Sequence, residues 1–481
     1  MTAARQAPHS PGNDYPRVHV LKRSSPSEKE PVDPAVIVRR VIDACADCDT
    51  CRFLMNEDCL FFPALYRLVD REAADGRPCS GRALRGLVEL CSLCGLCPCP
   101  DIRNDVIRAK SGYVRESGMA PAHRLMADVQ RLGRICGMAP DAVNAALSVG
   151  PVHRMVSRLA GIHPRRRLPR FPQESFFSWA RRKGLCRPPE NGPGVAYFAG
   201  CTAGYLFPEV ARAAVRVLQH SQLKVMVPPQ QCCGMPTLVE GDAALTRRRV
   251  QANLDALLAA RRMGFDPVCS CPTCGFLMKV LMKEGACHSN AYQQSVGAAA
   301  NEIKIPDGAG GGRFLHLSKS LYAGRLRDDG LFSDLDPMDR LALSEGVADM
   351  GQYLLKRLDG RHLDVPFQPI AGRMAYFAPC HQREQKIGSP YVRLLALIPG
   401  LTIEPVGGPM DCCGMGGSLG YKKSFHDASV SLGAGLMQKI RAAAPQAVIT
   451  DCLSCRLQFR HLLPFPVFHP LELLARACEP G

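Results

Sequence analysis

The feature that most constrains this 481-residue chain is a duplication of cysteines. Cys232-Cys233-Gly234-Met235 recurs as Cys412-Cys413-Gly414-Met415, each time inside one larger pattern. A lone cysteine stands upstream at the end of an apolar run: Ala196-Tyr197-Phe198-Ala199-Gly200-Cys201 in the first copy, Ala375-Tyr376-Phe377-Ala378-Pro379-Cys380 in the second. Downstream stands a Cys-x-x-Cys, Cys271 with Cys274 and Cys452 with Cys455. The offset between copies drifts only from 179 to 181 residues, so the whole stretch keeps register across a repeat. Five thiols gathered from three separate places suit a soft metal or an iron-sulfur cluster, because thiolate is the ligand those centres prefer.

Between these cysteines strand and helix patterns alternate. A strand over 195–199 leads to Cys201, and a helix follows with Pro208 at its start and Val210, Ala214, Val217 and Leu218 on one face. Leu223, Val225 and Val227 alternate as a second strand before Cys232. A helix capped by Asp242, carrying Val250, Leu254, Leu257 and Leu258, precedes a third strand that ends at Cys271 and Cys274. The thiols thus fall past the carboxyl ends of strands, and in an open parallel sheet those ends meet at one crevice. The Gly after each Cys pair is expected at positive φ or pressed close to an inorganic core. Cys269 aligns with Thr450 and is left out of the ligand set; Cys136, Cys186, Cys287 and Cys478 fall outside the pattern and read as buried thiols. After a Gly-rich turn at 308–312, Phe314-Leu315-His316 matches Val467-Phe468-His469, each read as opening an apolar helix. His316 and His469 then sit at helix starts or touch a cluster or quinone, and His381, beside Cys380, serves hydrogen bonding or proton transfer.

Upstream lie Cys45-Ala-Asp-Cys48-Asp-Thr-Cys51, then Cys59, Cys79 and Cys91-Ser-Leu-Cys94-Gly-Leu-Cys97-Pro-Cys99-Pro100. Two Cys-x-x-Cys-x-x-Cys runs this close signal a two-cluster ferredoxin domain, where each run supplies three ligands and the other run the fourth. One 4Fe-4S cubane takes Cys45, Cys48, Cys51 and Cys99, the other Cys91, Cys94, Cys97 and Cys59. The spacing to each fourth ligand departs from the usual three residues, which leaves Cys79 as an alternative. Zinc ribbons are disfavoured because they use paired Cys-x-x-Cys rather than triplets.

The divisions read from composition are a disordered tail over 1–34, the ferredoxin-like domain over 35–138, an Arg- and Pro-rich connector over 139–192, the first repeat over 193–325, a helical connector over 326–372 and the second repeat over 373–481. Residues 101–138 read as helical, and Leu147–Ile162 as a short basic amphipathic helix, either packed or resting on a membrane. The fold class is therefore α/β: an α-helical two-cluster ferredoxin-like domain followed by two pseudo-symmetric Rossmann-like α/β cysteine-rich repeats.

A chain that is 46% apolar is long enough for real cores, so its 24 cysteines are not needed as disulfide staples. The first forty residues hold no apolar signal core, and no run approaches the roughly 18 apolar residues that span a bilayer. The expectation is a reducing cytoplasm with at most peripheral membrane contact. The formal charge of +16 is partly offset by thiolates; the remainder suits a solvated surface, an anionic membrane face or an acidic partner, with no motif for nucleic acid. No Gly-x-Gly-x-x-Gly follows a strand and no Walker loop occurs, so electrons must come from a partner.

The duplicated pattern resembles the cysteine-rich domain of heterodisulfide reductases and of glycolate and lactate oxidase iron-sulfur subunits. From about 45 to 478 the chain resembles the family of C-type iron-sulfur subunits of anaerobic glycerol-3-phosphate dehydrogenase. The likeness runs through Tyr197-Phe198-Ala199-Gly200-Cys201, Gly161-Ile162-His163, Pro379-Cys380-His381, Gly417, Tyr421-Lys422-Lys423 and Thr450-Asp451-Cys452-Leu453-Ser454-Cys455. It implies an electron-transfer subunit that takes electrons from a flavoprotein dehydrogenase and passes them towards membrane quinone. It further implies one or two iron-sulfur clusters in the repeats, either of the noncubane kind that cleaves a disulfide in heterodisulfide reductases or with a cubane or zinc in one of the two sites. Both copies keep all five thiols, so a disulfide-reducing catalytic role is the alternative.

Overall fold

In the computed structural model of the chain, residues 32–189, 194–307, 312–322, 326–360 and 367–479 are described. The tail read over 1–34 and the Gly-rich turn at 308–312 lie outside them, apart from residues 32–34 and 312.

The chain opens with helices Pro34–Cys48, Thr50–Leu54, Phe61–Asp75, Gly81–Glu89 and Pro100–Ser117. Asp33 caps the first by accepting from the Ala35 N–H at 2.8 Å, with Pro34 in the first turn, where its missing N–H is harmless. Ile37, Val38, Val41, Ile42 and Cys45 form its buried stripe, facing Pro100–Ser117 and a core of Phe61, Phe62, Leu65, Leu84, Val88 and Val106. The helical reading of 101–138 holds as three helices, Pro100–Ser117, Pro121–Ala127 and Val129–Cys136. The helix expected over Leu147–Ile162 breaks at Val149, which is extended (φ −81°, ψ 113°), because Pro151 restarts it as Gly150–Leu159.

Among the described residues ten strands follow: β1 (Gly194–Phe198), β2 (Lys224–Met226), β3 (Phe265–Cys269), β4 (Glu302–Pro306), β5 (Phe314–Ser318), β6 (Ala348–Asp349), β7 (Gly372–Tyr376), β8 (Leu401–Pro405), β9 (Ala447–Ile449) and β10 (Val467–Phe468). They form two parallel four-stranded sheets of the same order, β2-β1-β3-β6 and β8-β7-β9-β10, and an antiparallel pair β4-β5. The expected helices stand at Pro208–His220 and Ala243–Arg262, the latter capped by Asp242 accepting from the Leu245 N–H at 3.1 Å.

One reading is corrected. The first sheet is completed by β6, inside the stretch read as a helical connector over 326–372, and β4-β5 is an insertion before it. The counterpart of β10 is therefore β6, and the counterpart of His469 is Asp349. His469 does begin a helix, Pro470–Ala477, whereas His316 sits within β5, exposed, 2.5 Å from Glu302. A two-residue strand carries too few residues for a period-two pattern, so the longer β5 captured the match.

The two sheets share one core. Val195 and Tyr197 belong with Met374, Tyr376, Ala447 and Ile449 to a single buried cluster. Pro208–His220 packs on Pro470–Ala477, and Met350–Asp359 on Pro390–Leu395. Each contact joins the helix after the first strand of one copy to the helix after the last strand of the other, which is the reciprocity expected of an internal two-fold.

Candidate metal centre

Most of the cysteines fall into four groups. In the first, burial and the neighbouring thiols of Cys51, Cys99 and Cys48 push Cys45 up to about 12, and burial with Cys99 and Cys48 pushes Cys51 up to about 11. Cys48 and Cys99 are exposed, and the Cys48 thiol lies 3.2 Å from Thr50 Oγ1. In the second group, burial with Cys94 and Cys91 pushes Cys59 up to about 12, and Cys97 is raised by burial and then by Cys91, Cys94 and Cys59. Cys59 also accepts from the Phe61 N–H at 3.3 Å. Cys97-Pro98-Cys99 bridges the groups, since Cys97 faces one and Cys99 the other. Cys79 joins neither: its surroundings are Glu72 and Arg39.

The third group lies past the carboxyl ends of β1, β2 and β3. Hydrogen bonds to Cys201 and Cys233, helped by the Gly234 N–H and the Arg249 guanidinium, hold Cys232 well below the usual thiol range. Cys233 in turn meets Cys274, and Cys274 meets Cys271. Cys269, left out of the sequence reading, also reaches Cys274 and is 1% exposed. Its signal was its place at the end of β3 beside the Cys-x-x-Cys; alignment with Thr450 hid it. In the fourth group Cys455 and Cys413 lie 3.2 Å apart, and Cys380 is raised by burial together with Cys94, Cys413 and Cys452. Cys412 accepts from the Gly414 N–H at 3.2 Å.

Both Cys-pair glycines do carry positive φ, +101° at Gly234 and +81° at Gly414. The tight neighbour is protein: a Cβ on Gly414 would come 2.0 Å from Ser429 O on the next helix. Of the thiols read as buried outsiders, Cys136, Cys287 and Cys478 are half-buried and Cys186 is exposed.

Cys201, Cys233, Cys271 and Cys274 of the third group and the whole fourth group line one cavity of about 110 Å³, with Ser92 and Cys94 on its wall. Cys94 thereby belongs to two neighbourhoods, facing Cys59 and Cys97 on one side and Cys380 and Cys412 on the other. His381 pins this junction: its Nε2–H donates to Leu93 O at 2.9 Å, Nδ1 accepts from Thr273 Oγ1 at 2.9 Å, and its ring stacks on Phe276 at 4.7 Å. Burial holds it down to about 4, so it is neutral and acts as a bridge between three segments. His469 is likewise buried and held down to about 3; it caps its helix through Nδ1, 3.2 Å from the Leu471 N–H. Asp349 and Asp451, both buried beneath the cysteine loops, are pushed up by burial, Asp349 to about 6. The donor set of each group is sulfur, enclosed and anionic once deprotonated, which fits a soft metal or iron-sulfur centre.

Comparison with known proteins accords with this geometry. The cysteine-rich domain (CCG) family matches twice, over residues 195–279 and 374–460. The C-type subunit of anaerobic glycerol-3-phosphate dehydrogenase from Escherichia coli (strain K12) is 24% identical over 72% of this chain and 74% of its own length. The B-type subunit of fumarate reductase (CoM/CoB) from Methanothermobacter marburgensis is 24% identical over 86% of this chain and 67% of its own. Lactate utilization protein A of an Exiguobacterium strain is 25% identical over 59% of this chain and 97% of its own. Among the described residues no helix is long and apolar enough to cross a membrane. The chain thus carries the cysteine-rich domain in duplicate and is similar over most of its length to the C-type subunit of anaerobic glycerol-3-phosphate dehydrogenase.

Proposed function

We propose that the chain is an iron-sulfur electron-transfer subunit that takes electrons from a flavoprotein dehydrogenase and relays them towards membrane quinone at the cytoplasmic face. The observation that carries this reading is the position of Cys94, which makes the second and fourth groups neighbours and so gives a continuous line of sulfur from the exposed Cys48 and Cys99 to the cavity between the repeats. In this reading the helical domain is ferredoxin-like, with one 4Fe-4S cubane on Cys45, Cys48, Cys51 and Cys99 and one on Cys59, Cys91, Cys94 and Cys97. The Rossmann-like repeats hold one or two further clusters on Cys201, Cys232, Cys233, Cys271 and Cys274 and on Cys380, Cys412, Cys413, Cys452 and Cys455. Membrane contact is supported by exposed Ile135, Met138, Val149, Met155 and Leu159, interspersed with exposed Arg131, Arg134, Arg154 and Arg158.

Anaerobically purified protein is expected to contain iron and acid-labile sulfide near four of each per cubane. Cys412→Ser is expected to remove one paramagnetic signal and leave those of the helical domain. Zinc in place of iron, or loss of every signal together, would overturn the reading. A second reading, reduction of a disulfide, is favoured by one feature: four thiols of the first five-thiol group and all five of the second face the same cavity. Disulfide turnover by the cluster-loaded chain with a viologen donor would select it.

A further inference from the structure

A second concavity lies outside the sulfur cavity. It is a cleft of about 890 Å³ between the helices Val129–Cys136 and Phe176–Arg182 and the loop that leads from β2 to Cys232. Its inner wall is an aromatic pair, Phe177 and Tyr205, with ring centroids 5.1 Å apart. The same pair packs on the other side against Cys201 and Cys232. Two glycines make that closeness possible: a Cβ on Gly133 would come 2.4 Å from Tyr205, and one on Gly204 2.3 Å from Phe177. The pair thus belongs both to the lining of the cleft and to the packing around a thiol group.

The rest of the lining mixes Pro172, Val227, Pro228, Pro229 and Ala252 with polar and charged side chains. Gln130 and Asn253, both buried, hold the backbone of the cysteine loop: Gln130 Oε1 accepts from the Cys232 N–H and Asn253 Oδ1 from the Gln231 N–H, each at 2.8 Å. Glu174 is neutralised by Arg182 and Arg212. Arg134 and Arg181, which also line the cleft, have no carboxylate partner among the described residues. The helix that supplies Gln130 and Arg134 also bears exposed Ile135 and is followed by exposed Met138, each next in the chain to a lining residue, Arg134 and Gly137.

We infer that this cleft binds the ring of a quinone. An aromatic wall stacks a flat ring, guanidinium donors bond its carbonyl oxygens, and an apolar rim admits a lipid-soluble molecule. The inference rests on the proposed relay towards quinone and names the place where the ring sits.

The test is photolabelling of the cluster-loaded chain with an azido-naphthoquinone, mapped by mass spectrometry. Label is expected in peptides spanning 129–137, 172–186 and 227–231, and is expected to be displaced by unlabelled 2-methyl-1,4-naphthoquinone. Ala252→Phe, which fills the cleft from the helix Ala243–Arg262, is expected to cut labelling about tenfold. Arg181→Glu, on an exposed side chain, tests the same site without altering a packed one. Label on the sulfur cavity, diffuse label, or label unchanged in both variants overturns the inference. Specific cleft labelling in a protein that never reduces quinone supports the site and refutes the relay towards quinone, so the two fail separately.

Discussion

At the scale of residues, backbone geometry decides which glycines matter. Gly414 and Gly417 both have positive φ, but only Gly414 lies against another chain segment, Ser429 O. Gly414→Ala is expected to destabilise by at least ~3 kcal/mol and to lose the fourth thiol group, whereas Gly417→Ala, with open space around it, is expected to shift stability by only about 1 kcal/mol. Urea unfolding of both variants checks this contrast. His469 makes a pH prediction. Its folded value, about 3, lies below the unfolded value near 6.5, so between these the unfolded chain binds the extra proton. Its contribution is therefore complete above about pH 6.5 and is lost as pH falls towards 3, up to roughly 5 kcal/mol. His469→Asn keeps a cap acceptor without the imidazole and is expected to move the acid unfolding midpoint to lower pH.

At the scale of elements, the arginine run at 165–167 shows where pattern and environment part. Three consecutive arginines ordinarily face solvent, yet Arg166 is 1% exposed. It donates to Gly420 O at 2.7 Å, Gln458 Oε1 at 2.5 Å and Ser429 Oγ at 3.1 Å, while Ile162 pairs with Lys422 across a β-bridge. The connector is thus clamped to the second repeat. Arg166→Met leaves three acceptors without their donor and is expected to destabilise by roughly 3 kcal/mol. Hydrogen exchange should show faster amides at Ile162 and in 420–423, with the first repeat unaffected. The long helices and the strands β1, β2 and β3 were legible because their patterns run long enough to count; β6, with two residues, was not, and β5 was read as the start of a helix.

At the scale of the whole molecule, Lys422 is the joint. Its Nζ lies 2.6 Å from Glu240 of the first repeat and 3.6 Å from Glu89 of the helical domain. Against its burial, the charge of Lys422 holds Glu240 below the usual carboxylate range. Lys422→Met strands a buried carboxylate and is expected to destabilise by about 3–5 kcal/mol, while adding Glu240→Leu should recover most of that loss. Thermal unfolding of the single and double variants measures the coupling. Lys110 makes a parallel tie, donating to Cys91 O at 2.7 Å and Val239 O at 3.0 Å. Neither tie is legible in the sequence, although Lys422 stands in the Tyr421-Lys422-Lys423 motif, because each lysine reaches across to a segment that lies more than a hundred residues away.

The sequence by itself determined the thiol inventory, the duplication and the alternation of strand and helix, since these depend on residue type and on spacing along one chain. Tertiary structure alone decided that Cys79 stands apart, that Cys269 joins the third group, that Cys94 adjoins the second repeat and that two repeats face one cavity. The reason is physical: a thiol's partners are set by which loops converge in space, and convergence depends on packing between segments that no local pattern records.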